Sequence, residues 1–140
     1  MGTEKVIENF EWYGSEEFKN YNGGMILIDE TIVSALKILT AVTVFFVWVV
    51  RYENIKREFL HYNLPKWVRD PVGILKISFT LMIQSSDNEV VIIGSSGIAF
   101  LMTAAIITHI RVKNPIHKML PAFAMLTISL IILIYHSQLM

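Results

Sequence analysis

The sequence contains no cysteine, which excludes disulfide staples, thiolate metal sites and thiol–disulfide chemistry within the chain. It contains no Asn-x-Ser/Thr acceptor for glycosylation. Net charge is also missing: 12 Lys and Arg balance 12 Asp and Glu, so no overall field draws in nucleic acid, and no nucleic-acid partner is expected. The first 25 residues are acidic and aromatic and lack the apolar h-region of a signal peptide. Insertion is therefore expected to rely on the chain's own transmembrane segments. Two long stretches, residues 90–110 and 119–135, contain no Asp, Glu, Lys or Arg at all.

What remains is apolar. Hydrophobic residues make up 54% of the 140 residues and charged residues 17%, against ~45–50% and ~25% in ordinary globular domains. A helix crossing the bilayer needs ~20 mostly apolar residues. Residues 31–50, 67–84, 90–110 and 119–135 are read as four spans. The second is the most polar, with Arg69 and Asp70 at its start and Lys76 inside. A soluble bundle would need a polar face on every helix, and the third and fourth stretches have no charged face.

Basic residues outside the spans are uneven. Arg51, Lys56, Arg57, Lys66, Arg69, Arg111, Lys113 and Lys118 fall at the first and third loops, against Lys5 and Lys19 in the tail. The positive-inside rule then places loops 51–66 and 111–118 in the cytoplasm and both termini on the exoplasmic or periplasmic side. Short loops make neighbouring spans antiparallel, so the expected fold is all-α: an integral membrane four-helix up-down-up-down bundle, as in a bacterial inner membrane or its equivalent.

Hydrocarbon offers no hydrogen bonds, so polar side chains should turn inward. Gly73, Lys76, Thr80 and Gln84 step by three, four and four, which puts them on one helix face. Ser95, Ala99 and Thr103 form a small-residue stripe suited to close helix packing. Lys76 lies nine residues beyond Trp67, ~13 Å from the cytoplasmic interface at ~1.5 Å per residue. Matching depths predicts two stacked polar layers. One joins Lys76 with Thr40, the 101–103 stretch and Thr127. The other joins Lys37 with Thr80, the 95–97 stretch and Ser129. The candidate ligand-binding seam is thus Lys76, Lys37, Thr80, Gln84 and Thr103.

A mid-membrane lysine costs ~2.5–3.5 kcal/mol to insert. Lys37 can snorkel outward; Lys76 is too deep for that, and no carboxylate lies deep in any span. Three outcomes are open: Lys76 is uncharged, it is solvated by hydroxyls and water, or it meets an anionic or carbonyl-bearing group of a ligand, lipid or partner subunit. The missing carboxylates also weaken a proton-pump reading. At the cytoplasmic end His109, Asp70 and Arg111 form a second candidate cluster, in which a His–carboxylate bond could tie helix ends together. No metal site is expected, because His109 and His117 lack a matching ligand set. His61 and His136 read as interfacial.

Residues 1–29 read as a separate exoplasmic tail. Val6, Phe10, Tyr13 and Tyr21 fall near helical spacing, as in an amphipathic helix lying on the surface, and Asn22-Gly23-Gly24 reads as a hinge.

From Leu64 onward the chain resembles the DoxX-like family of small four-helix membrane proteins. The resemblance rests on Leu64-Pro65-Lys66-Trp67, Val72-Gly73-Ile74-Leu75-Lys76, Gly97, Ala104-Ala105, His109-Ile110-Arg111-Val112, Asn114-Pro115, Lys118 and Leu120-Pro121-Ala122, in that order. Asn114 stands where the family commonly has Asp. The resemblance implies residues 30–140 as one four-helix domain. It also implies kinship with a small subunit of a quinone-reducing membrane oxidoreductase and with maturation factors. Lys76 and His109 match its recurring polar positions.

No nucleophile constellation and no cofactor motif is present, so no catalytic residue is assigned and no enzyme activity is expected of the chain alone. The favoured reading is an accessory or assembly subunit of a larger membrane complex, partnered by the lipid bilayer and other membrane subunits. The alternative is a quinone-interacting subunit, with Lys76 or His109 at a carbonyl. A small transporter or lipid-binding bundle ranks last. Quinone or lipid is the ligand class in view.

Overall fold

The computed structural model describes residues 29–140, and the expected tail helix and hinge lie outside them. Within the compact unit Thr31–Met140 every element is helical. Helix α1 (Glu30–Phe45) continues through a π-helical turn, Phe46–Val50. A short helix α2 (Tyr52–His61) follows, then α3 (Lys66–Ile83), α4 (Asn88–Arg111) and α5 (Ile116–Gln138).

Three helical stretches, Glu30–Val50, Asn88–Arg111 and Ile116–Gln138, are long and apolar enough to cross a membrane, as in an integral membrane protein. Helix α3 has 18 residues but carries Lys66, Arg69, Asp70 and Lys76, so it does not meet the same apolar standard. Large apolar side chains such as Val42, Phe100, Ile107 and Ile134 point outward. In hydrocarbon that exposure carries no penalty, because lipid tails are as apolar as the side chains.

Loop 51–66 holds an element that span counting does not reveal. Helix α2 is amphipathic, with Ile55 buried and Tyr62 buried just beyond its end. Two of the turns share one design. Asn63 (φ 54) and Lys113 (φ 55) are left-handed. Leu64 N–H donates to the Phe59 carbonyl and Asn114 N–H to the His109 carbonyl, at 3.1 and 3.0 Å. Each is the six-to-one bond of a Schellman stop. Pro65 and Pro115 then open the next helices, since proline cannot continue the old one. The turn between α3 and α4 is closed by Asp87, whose carboxylate accepts from Glu89 N–H at 3.0 Å and so satisfies an orphan donor at the start of α4.

The core lies mainly among α3, α4 and α5, where Ile83, Val91, Ile98 and Ile132 are fully buried. Gly94 permits a close approach of two backbones. A Cβ there would stand 2.7 Å from the Phe79 carbonyl oxygen and 3.0 Å from the Ile83 nitrogen, so the α3 backbone occupies the space of a side chain. The buried face of α4 runs Val91, Gly94, Ser95, Ile98, Met102, Ile106. That face includes Ser95 but turns Thr103 outward.

Helix α1 meets α3 along the face that carries Gly73, Lys76, Thr80 and Gln84. Gln84 donates to the Lys37 carbonyl at 2.8 Å. Ala41 and Thr80 line one groove, and a Cβ on Gly73 would lie 2.6 Å from Trp48 Cε3. These pairs run in a single antiparallel register. It is offset by about one helical turn from the depth match made on sequence, which paired Lys37 with Thr80 and Lys76 with Thr40. The missing side chain at Gly73 explains the offset: it leaves a seat that only a large ring, Trp48, fills.

Candidate functional site

The register brings Lys76 beneath the indole of Trp48, with Nζ 5.7 Å from the ring centroid. A cation over an indole face is held by the ring's quadrupole. Among the described residues Lys76 Nζ has no hydrogen bond and no ion pair; the Glu58 carboxylate acts on it through space. Lys76 opens into a cavity of about 210 Å³ to which every helix contributes. Trp48 and Val44 come from α1, Glu58 from α2, Met102 and His109 from α4, and Lys118, Ala122 and Met125 from α5, with Arg51 between α1 and α2. Arg51, Glu58 and Lys118 are exposed and stand at its rim, so three cations face one carboxylate. A concave space on which several polar groups converge is a usual form of ligand site.

His109 is held from behind. Its Nδ1 lies 2.9 Å from Asn114 Nδ2 and 3.4 Å from the Tyr62 hydroxyl, and Asn114 Nδ2 also donates to that hydroxyl at 3.3 Å. Arg111 donates to the Tyr62 carbonyl at 3.1 Å. With an amide N–H as donor, Nδ1 is the acceptor, and the ring hydrogen sits on Nε2. His109 lines the cavity, and in this tautomer its free N–H is Nε2. Burial raises the Tyr62 phenol above its usual range; the Glu58 carboxylate acts in the same direction, and the bond from Asn114 opposes it.

The sequence-predicted residues divide between three places. Lys76 and His109 line the same cavity. Lys37 and Gln84 meet at the other end of the α1–α3 contact, where Lys37 Nζ also donates to the Ser85 carbonyl at 3.4 Å. Thr80 is buried between them. Thr103 and Thr127 face outward, and each hydroxyl donates to the carbonyl four residues back at 2.9 Å. Thr40 is buried but satisfied in the same way by Leu36. The layer around Lys76 therefore holds Thr43, Trp48, Met102 and His109 in place of Thr40, Thr103 and Thr127.

Asp70 does not reach His109. It pairs with Arg69 at 2.8 Å and accepts from the Tyr52 hydroxyl at 3.4 Å, so Asn114 and Tyr62 take the place of the expected carboxylate. His136, read as interfacial, is buried, with Nδ1 2.8 Å from Asn88 Oδ1. It ties the start of α4 to the end of α5.

Trp48, Glu58 and Lys118 are the cavity residues that span counting missed. The Glu58 signal was present: Ile55, Phe59 and Tyr62 recur at helical spacing, which marks a helix whose inner face Glu58 adjoins.

A family model described as the DoxX-like family matches residues 31–132. No curated protein and no solved structure matches the chain.

Proposed function

This chain is an integral membrane protein of the DoxX-like family, and we propose that it serves as a small subunit that holds the carbonyl-bearing head of a lipophilic molecule, a quinone, between its helices. Lys76 carries this reading. It is an amine in a cavity shared with Arg51, Glu58, His109 and Lys118, with hydrogen-bonding capacity that no described residue uses. Lys76 is half-buried, and a carbonyl oxygen from a guest would give its unused donors a partner. The His109 N–H supplies a second donor on the same cavity. The donor set fits a quinone carbonyl, since both groups donate and neither needs a carboxylate. A bound quinone would supply redox chemistry; the chain's own residues bind and orient the ring.

The reading includes a four-helix up-down-up-down bundle in which α3 is the fourth span. Its charges are accommodated locally: Arg69 and Asp70 pair near the cytoplasmic end, and Lys76 turns into the cavity. Exposed Arg57, Lys66, Lys113 and Lys118 support placing α2 and the α4–α5 turn in the cytoplasm.

The test is purification from membranes in mild detergent with extraction of bound quinone. Quinone should copurify with the native protein and be lost from Lys76→Ala. Equal quinone in both removes Lys76 from the site. Because the chain lacks cysteine, single-cysteine variants at Asn63 and Ser86 test the topology. They should be labelled from opposite sides of the membrane.

A further inference from the structure

The cavity at Lys76 is small. At about 210 Å³ it falls below the ~300–1,000 Å³ that usually encloses a whole small molecule. It accommodates a head group, and the remainder of an amphiphile must leave it. Its walls include Val44, which is 4% exposed. On the other side of Val44 lies a second space, a groove of about 350 Å³ between α1 and α3. It is bounded by Ala41, Val44, Phe45, Ile77, Thr80 and Leu81 and contains no charged residue. Phe45 and Leu81 at its rim are exposed, so the groove opens sideways.

Thr80 separates this groove from an ordinary lipid-facing crevice. Thr40, Thr103, Thr108 and Thr127 each spend the hydroxyl hydrogen on a carbonyl of their own helix, all at 2.9 Å. Thr80 is buried, and its hydroxyl has no partner among the described residues. It sits one turn along α3 from Lys76, so the groove carries a spare donor beside the polar cavity.

We propose that this groove is the tail site of the amphiphile whose head binds at Lys76, and that the ligand enters laterally from the bilayer past Val44. The inference rests on the head-site reading above. A tail leaving the level of Trp48 and ending at Ala41 follows seven residues of α1, ~10 Å at ~1.5 Å per residue. Such a ligand is a carbonyl-headed molecule with one flexible apolar chain.

Two probes separate head from tail: 2,3-dimethoxy-5-methylbenzoquinone alone, and the same ring with a decyl chain. Binding is read by quenching of Trp48 fluorescence in the full chain carrying Trp12→Phe and Trp67→Phe. Ala41→Phe fills the groove, and Leu81→Tyr obstructs its exposed rim with less risk to folding and adds no second indole. The decyl probe should bind about ten-fold more weakly to either groove variant, as steric overpacking predicts, while the tailless probe is unaffected. Comparing one probe across proteins removes its partition into detergent from the result. A decyl probe that binds both variants as it binds the native chain overturns the tail site and leaves the head site standing. Failure of both probes to bind the native chain defeats the head-site reading itself, and the tail site with it.

Discussion

Replacing Gly73 with alanine tests the register that places Lys76. The added methyl would stand 2.6 Å from Trp48 Cε3 and 3.0 Å from Trp48 Cη2, well inside van der Waals contact. The clash is with a rigid ring, so the indole must tilt or α1 must slide. Overpacking of this kind costs ~1–3 kcal/mol. At Gly94 the obstacles are the Phe79 carbonyl oxygen and the Ile83 nitrogen, backbone atoms that cannot rotate away, so Gly94→Ala should cost more than Gly73→Ala. Thermal unfolding in detergent reads both. The discriminating arm is Gly73→Ala combined with Trp48→Ala. If the methyl conflicts with the indole, removing the indole abolishes most of the penalty, giving a coupling of ~1 kcal/mol or more, within the range for residues in contact. An equal penalty for Gly73→Ala with and without the indole would refute the contact, and with it the offset that carries Lys76 beneath Trp48.

Asn114→Asp replaces an amide donor with a group that only accepts, so His109 Nδ1 should gain a hydrogen. Nitrogen NMR of labelled histidine should show Nδ1 unprotonated in the native protein and protonated in the variant; a protonated Nδ1 in the native protein contradicts the assigned tautomer. The Tyr62 phenol titrates above its ordinary value because of burial. Its contribution to stability is therefore complete below about pH 10 and is lost as pH rises through the higher folded value. Melting temperature should fall above about pH 10 and fall less steeply in Tyr62→Phe; parallel profiles would exclude Tyr62 as the cause. Lys113 holds a left-handed backbone where its counterpart in the turn before α3 is Asn63. Lys113→Asn should stabilise the protein by ~0.5–1 kcal/mol, and no rise in melting temperature would show that the turn carries no such strain.

Membrane character was legible because it depends on composition over long windows. Residues 90–110 and 119–135 have no charge to mislead the reader, and their helices extend a few residues beyond those limits. The polar face Gly73–Lys76–Thr80–Gln84 was legible because helical spacing alone defines a face. The partner of that face was not. Depth matching assumes that every helix starts level with the interface, whereas the real register depends on a local fit, the Trp48 ring over Gly73. The hydroxyls of Thr103 and Thr127 were read as inward-facing, but a threonine can satisfy itself on its own helix and then tolerate lipid. Asp70 was matched to His109 by depth; Arg69 and Tyr52 stand closer and take it. Helix α2 was missed because ten residues among basic side chains resemble a loop unless the Ile55–Phe59–Tyr62 spacing is followed.

The most direct measurement is native mass spectrometry of the full chain released gently from membranes, beside Lys76→Gln, which keeps a side chain of similar length but removes the ammonium. The native protein should carry a lipophilic adduct of one defined mass, and the variant should lose it while retaining any partner subunits. The same adduct at the same occupancy in both proteins would contradict the assignment of Lys76 as the group that holds the ligand.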